Sequence, residues 1–288
     1  MTVALVEPAR VDPLAPASAG SWHGDGVLVR RRTGRHRPHD AMCTPRFCTS
    51  RRGGRLTVEH DLTPEELCDE LAVLLTDELG DRLRGRPEFE QVFTGVVRST
   101  VDGGMPSWLR FYRNSMAALA DGRTAFAPIH DRAAELVAGR QLIDLGSCFG
   151  FFPLRMQHMG FDVLATDLSI PTMDLLSQVS RRLRREVRTL ACDATDLPLP
   201  DGTADTVTAL HLLEHLDPAT GERVLDEAVR LARRRVVVAV PFEAEPQACY
   251  GHVRRFDVTE LARLGARYPG VRATVTEHHG GWLVLDRH

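Results

Sequence analysis

Lysine is missing from this chain: all 36 of its basic residues are arginine. That absence excludes a P-loop, whose phosphate-cradling turn depends on a lysine ammonium. Long apolar runs are missing too. No stretch approaches the roughly 18 residues of a membrane span, and the opening MTVALVEPARVDPLAPASAG lacks a basic segment ahead of an apolar one. A cytosolic protein without a membrane partner is therefore expected. Cysteine is sparse: six residues, at 43, 48, 68, 148, 192 and 249, are scattered over the chain, and the expectation is mostly free thiols rather than a disulfide framework. A formal net charge of -3 gives no general attraction to nucleic acid or to an anionic membrane surface.

What is present is an ordinary globular composition, 43% hydrophobic over 288 residues, enough for one substantial α/β domain and a smaller appendage. Residues 1–60 are rich in Pro, Gly, Ser and Arg, including RRRTGRHR at 30–37, with little apolar periodicity. This reads as a disordered basic arm. His36, His39, Cys43 and Cys48 fall within it, but their spacing fits no standard zinc pattern, and no metal is assigned. Helical order is expected from DLTPEELCDELAVLLTDELGDRL, where Thr63 can cap, Pro64 occupies the first helical position and Leu67, Leu71, Leu74, Leu75 and Leu79 share a face. Two further helices, over 88–100 and in SWLRFYRNSMAALADG, complete a helical cap at 61–135.

From 136 onward short β-rich runs alternate with helical ones: QLIDLG, FDVLATD, VRTLACD, ADTVTALHLL, RRVVVAVPF, VRATVTEH and GWLVLDR. Helices are expected near 151–159, 171–185, 218–233 and 257–267. Such alternation implies an α/β fold with a doubly wound, mostly parallel sheet, and the last two strands, joined by a short turn, form an antiparallel edge hairpin.

In an open sheet of this kind ligands bind beyond the carboxyl ends of the strands. LIDLGSCFGFFPLR at 142–155 stands there, and Gly146 and Gly150 allow a tight turn and a close backbone approach. The G-x-G-x-x-G fingerprint of a dinucleotide site is not met, because Cys148 and Phe151 occupy its second and third positions. Asp167 ends the second strand, where a carboxylate accepts hydrogen bonds from both hydroxyls of a ribose. Asp193 ends the third. An acid-glycine loop after strand one, an acid after strand two and another after strand three together resemble the class I S-adenosylmethionine-dependent methyltransferases, whose sheet is Rossmann-like. The resemblance covers about 141–288. It implies S-adenosyl-L-methionine as cofactor, with Gly146, Ser147, Phe149 and Gly150 around the methionyl part, Asp144 anchoring the loop, Asp167 and Leu168 at the ribose, Asp193 and Ala194 at the adenine edge, and His211 lining the pocket. Cys148 departs from the family's usual central glycine.

The acceptor is read from the segments after strands four and five. ALHLLEHLDPATG resembles the stretch common in small-molecule members of that family; no Asn/Asp-Pro-Pro motif of amino-group enzymes and no Pro-Cys nucleophile occurs, which favours oxygen. On a helix His211 and His215, four apart with Glu214 between, can hold a proton or a metal. VAVPFEAEPQACYGHVRRFDVTEL adds Glu243, Glu245, Tyr250, His252, Arg254 and Arg255, and its GHVRRFD resembles a segment of many O-methyltransferases. His252 is the first choice of general base and His215 the second; for His252 a loop-anchoring hydrogen bond to backbone or Asp257 is the alternative. Trp108, Phe111, Tyr112 and Arg113 are suited to stacking on a sugar or ring, although a helical core stripe is the commoner reason for such spacing. The whole layout is similar to the mycofactocin oligosaccharide methyltransferases, which implies a glucose hydroxyl as the methylated group and a small-molecule or glycan partner. An RNA methyltransferase using the basic arm and a non-catalytic cofactor-binding regulator are the rival readings.

Overall fold

The computed structural model describes residues 11–32, 34 and 41–287. In chain order its strands and helices are β1 Ser21–His23, β2 Val27–Arg31, β3 Met42–Cys43, β4 Phe47–Arg52, β5 Arg55–His60, α1 Leu71–Leu79, α2 Gly85–Thr100, α3 Gly104–Ala120, α4 Ala127–Leu136, β6 Gln141–Leu145, α5 Phe151–His158, β7 Asp162–Asp167, α6 Ile170–Arg182, β8 Arg188–Ala191, β9 Ala204–Leu210, α7 Pro218–Leu231, β10 Ala232–Val240, α8 Val258–Gly265, β11 Val271–Glu277 and β12 Gly281–Arg287. They divide into two compact units, Met1–Ala118 and Leu119–His288. Among the described residues no helix is long and apolar enough to cross a membrane.

The first unit corrects the expected arm. Strands within residues 21–31 and 42–60 build a five-stranded sheet of order β1-β2-β5-β4-β3, in which β5 runs parallel to β2 and antiparallel to β4. Period-two alternation supplies the reason: Val27, Val29, Leu56 and Val58 are buried on one face, which matches the pleat of a half-buried sheet. Arg30, half-exposed near the end of β2, pairs with Glu59, and Arg32, just after the strand, pairs with Asp61. Cys43 and Cys48 face each other across β3 and β4 and form a disulfide, a pair that departs from the expectation of mostly free thiols; Cys68, Cys148, Cys192 and Cys249 form no disulfide. His36 and His39 lie outside the described residues.

Helical order begins later than the leucine spacing predicts. Pro64–Glu66 form a single 3-10 turn, where the Thr63 N–H donates to Glu66 Oε2 at 2.8 Å, and α1 starts only at Leu71. The expected cap over 61–135 is divided: α1, α2 and α3 belong with the five-stranded sheet, α4 with the second unit. Trp108, Phe111 and Tyr112 are fully buried, packed edge-to-face at 5.6 Å and 5.8 Å between ring centroids, and Trp108 Nε1 donates to the Pro13 carbonyl at 2.7 Å. They are the core stripe of this unit, the alternative that their helical spacing also offered, and not a stacking platform for a substrate.

The second unit is the doubly wound sheet the alternation predicts. Its order is β11-β12-β10-β9-β6-β7-β8: β8, β7, β6, β9 and β10 are parallel, and β12 enters antiparallel between β10 and β11. Valine-rich β10, buried from Val236 to Val240, is the continuous apolar run of a strand covered on both faces. The crossovers bring the carboxyl ends of β6, β7, β8, β9 and β10 to one edge of the sheet, where the candidate site lies.

Candidate active site

The site starts from one buried carboxylate. Asp144 on β6 is 3% exposed, opposite Thr208 of β9 in register. Its Oδ1 accepts from Thr208 Oγ1 at 2.5 Å and its Oδ2 from Ser147 Oγ at 2.7 Å. Burial nevertheless pushes its carboxyl up to about 6, because desolvation penalises the charged form more than two donors favour it. Ser147 spans the turn: its N–H donates to Thr166 O at 2.8 Å and its hydroxyl accepts from the Thr166 N–H at 3.2 Å. The loop after β6 is thus stitched to β7.

Gly146, Cys148 and Gly150 all adopt left-handed backbone, with φ of 68°, 48° and 70°. A Cβ on Gly146 would lie 2.7 Å from Leu212 Cδ1, and one on Gly150 2.4 Å from Leu176 Cδ2. Packing against neighbouring side chains, as well as a tight turn, thus demands these glycines. Cys148 tolerates its φ because its N–H donates to Asp167 Oδ2 at 3.0 Å.

Asp167 accepts a second N–H, from Ser169 at 2.8 Å on Oδ1. A carboxylate offers about four lone-pair positions, so both oxygens retain capacity for a ligand. Beside it Leu168 and Ile170 are large apolar side chains left 50% and 64% exposed. An acid flanked by uncovered apolar surface at a strand end fits a nucleoside, which has a hydroxyl-bearing sugar and a flat ring. Phe149 is half-buried in the turn. After β8, Asp193 is exposed, Ala194 half-buried, and Asp193 Oδ1 accepts from the Thr195 N–H at 2.8 Å. His211 follows β9 with a φ of 53°, its N–H on the Ala239 carbonyl at 2.8 Å and its ring 5.1 Å from that of Phe126.

A second cluster stands after β9 and β10. Leu213–His215 form a 3-10 turn rather than the helix that would put His211 and His215 on one face. Glu214 is fully buried, and neither of its carboxylate oxygens accepts a hydrogen bond; His211 Nδ1 approaches Oε1 at 3.2 Å. The Val253 N–H donates to the Glu214 carbonyl at 2.8 Å, tying the loop after β10 to this turn. That loop delivers His252, whose ring centroid is 4.8 Å from that of His215 and whose Nδ1 is 2.8 Å from Glu243 Oε2. A carboxylate can only accept, so Nδ1 carries the proton in the neutral ring and Nε2 the lone pair. Glu214, His215 and His252 each bring one donor atom within 4.8 Å of the others.

The structure therefore gathers Asp144, Gly146, Ser147, Phe149, Gly150, Asp167, Leu168, Asp193, Ala194 and His211 at the carboxyl edge of the sheet, with His215 and His252 adjoining each other there. The partner of His252 is Glu243, not backbone or Asp257, which instead caps α8 by accepting from the Glu260 N–H at 2.7 Å. No sequence motif links Glu243 to His252, and the burial of Glu214 is a property of the folded chain alone.

Residues 143–240 match the family described as a methyltransferase domain. A demethylmenaquinone methyltransferase of Beutenbergia cavernae is 30% identical over 149 residues, covering 50% of this chain and 60% of that protein. A second, from Thermus thermophilus, is 30% identical over 130 residues, covering 43% and 58%. The chain thus spans less than two thirds of the length of either relative. Among solved structures, the PH0226 protein of Pyrococcus horikoshii is 16% identical with a TM-score of 0.49, over 58% of this chain and 92% of that one. The match to the methyltransferase-domain family thus falls on residues 143–240, the stretch that holds the acid-glycine turn and the two further strand-end acids by which the chain resembles the class I, S-adenosylmethionine-dependent enzymes.

Proposed function

We propose that this protein transfers a methyl group from S-adenosylmethionine to a hydroxyl oxygen of a small molecule or glycan. The observation that carries the oxygen preference is the His252–Glu243 pair, Nδ1 to Oε2 at 2.8 Å, beside His215 and Glu214. When bound, the cofactor supplies a methyl group on a sulfonium, so the protein's task is to align the nucleophile and to let its proton go. The Asp144–Ser147 bond fixes the glycine turn under the methionyl part, Asp167 accepts from the ribose hydroxyls, and Leu168 and Ile170 cover the adenosine. The acceptor hydroxyl meets the His215–His252–Glu214 cluster, where its proton leaves as the O–CH3 bond forms and the C–S bond breaks to give the thioether. A glucose hydroxyl of the mycofactocin oligosaccharide is the substrate favoured by the sequence resemblance. The curated relatives favour a demethylated quinone instead, and the pair of acceptors separates the two.

The small-molecule reading is supported over the basic-arm one by Arg30, Arg31 and Arg32, which lie in or beside a sheet strand and bond Glu59, the Thr100 carbonyl and Asp61 respectively. The test is calorimetry with S-adenosylmethionine and S-adenosylhomocysteine, followed by label transfer to oligosaccharide and quinone acceptors. Wild type should bind both nucleosides, Asp167→Ala should lose about 10-fold or more in affinity, the worth of a hydrogen bond to a charged group, and His252→Ala should bind normally but lose turnover. Absence of binding to wild type would remove the methyltransferase reading. Undiminished turnover by His252→Ala would remove the acceptor-side assignment.

A further inference from the structure

The acceptor side of the site holds more lone pairs than proton transfer requires, and one of them is costly. Glu214 is fully buried with no hydrogen bond to either carboxylate oxygen. A carboxylate taken out of water without donors or a cation loses far more solvation than a single neighbouring imidazole restores. His211 Nδ1, 3.2 Å from Oε1, is a cation only if its ring is protonated. We infer that Glu214, His215 and His252 bind a divalent first-row transition cation, and that the acceptor is a sugar or polyol whose neighbouring hydroxyls complete its coordination.

Three further observations converge on that cation. The donor atoms of Glu214, His215 and His252 lie within 4.8 Å of one another, close enough to surround a single ion after small side-chain adjustments. Glu243 holds His252 Nδ1 at 2.8 Å, the outer-shell carboxylate that fixes a ligand histidine's tautomer, frees Nε2 and strengthens it as a donor. The Val253 N–H to Glu214 carbonyl bond at 2.8 Å locks the loop bearing His252 to the turn bearing the other two ligands, so the set is organised before any ion arrives. Two imidazoles and one carboxylate suit zinc, manganese or ferrous iron better than calcium or magnesium, which prefer all-oxygen shells. Three protein ligands also leave positions open, and a bound cation would acidify a hydroxyl offered to one of them. With the ion in place His252 acts as a ligand; without it the same lone pair is a base. The inference rests on reading this cluster as the acceptor side of the site.

The test is calorimetric titration of the chelator-stripped full-length protein with Zn2+, beside a titration with S-adenosylhomocysteine. Wild type should bind one equivalent of Zn2+ that His215→Gln/His252→Gln does not, and Glu243→Gln should bind it about 10- to 100-fold more weakly, with nucleoside affinity unchanged in both variants. Co2+ in place of Zn2+ should give visible ligand-field bands in wild type that the double variant lacks. Equal Zn2+ stoichiometry and affinity in all three proteins would overturn the cation. Nucleoside binding without a Zn2+ equivalent would do the same while leaving methyl transfer standing; a Zn2+ equivalent without nucleoside binding would keep the cation and remove methyl transfer.

Discussion

At the scale of single residues, the glycine turn converts a sequence pattern into geometry. Asp144, Gly146, Gly150 and Asp167 were legible because each answers a local demand: a strand end, a left-handed φ, a carboxylate within reach of a sugar. Gly150→Ala should expose how strict that demand is. An alanine there keeps a φ of 70°, which costs a β-carbon about 1–2 kcal/mol, and its Cβ sits 2.4 Å from Leu176 Cδ2, so Leu176 or the loop must move. Thermal unfolding should fall by roughly 2–8 °C if the cost totals about 1–2 kcal/mol, with weaker S-adenosylhomocysteine binding measured on the same sample. Unchanged melting and affinity would mean that the turn relaxes freely. Glu214 and Glu243 were named in the sequence only as neighbours of candidate histidines. Their roles were illegible because one depends on complete burial and the other on a loop folding back on itself.

At the scale of elements, the strands of the second unit were readable and those of the first were not. β9 and β10 are 7 and 9 residues long, β10 ending in the apolar run VVVAV, and are spaced by a helix, whereas β1, β2 and β3 span 3, 5 and 2 residues and β2 ends in two arginines. A window long enough to detect periodicity averages such strands into a polar background. The consequence appears in β5, whose His60 is fully buried with Nε2 2.8 Å from Ser99 Oγ of α2. Burial pushes its imidazole down to about 3. An unfolded histidine titrates near pH 6.5, so between those values the unfolded chain binds the extra proton, and stability is lost as pH falls below about 6.5. From pH 7 to pH 5 this one group should cost on the order of 2 kcal/mol. Urea unfolding of wild type and His60→Gln at both pH values checks it: the variant, although less stable at pH 7, should show a shallower loss on acidification. Equal slopes would place the titration elsewhere.

At the scale of the whole molecule, the chain is two units, and the boundary near Ala118 falls inside the stretch that composition and periodicity read as one helical cap. What the sequence obscured was partnership: α2 reads as an amphipathic helix in search of a surface, and that surface is made by residues read as disordered. Gly95 of α2 lies so close to β2 and β1 that a Cβ would stand 2.4 Å from Val29 Cγ2 and 2.9 Å from Trp22. Deleting residues 1–60 should therefore strip the helices of their sheet. Far-ultraviolet circular dichroism of the truncated protein should lose helical signal from α1, α2 and α3; retention of the full signal would restore the picture of a dispensable arm.

The placement of β12 between β10 and β11 has a consequence for synthesis. Every parallel strand of the second unit is made before β12, so β10 emerges with one edge bonded to β9 and the other bare. That bare edge is VVVAV at 236–240, uncharged and strongly β-forming, the kind of segment that recruits a neighbouring chain. β11 cannot protect it, since β11 pairs with β12 and not with β10. At translation rates of about 5–20 residues per second, the interval before residues 281–287 are made lasts a few seconds, and it is then that the nascent chain most needs a chaperone.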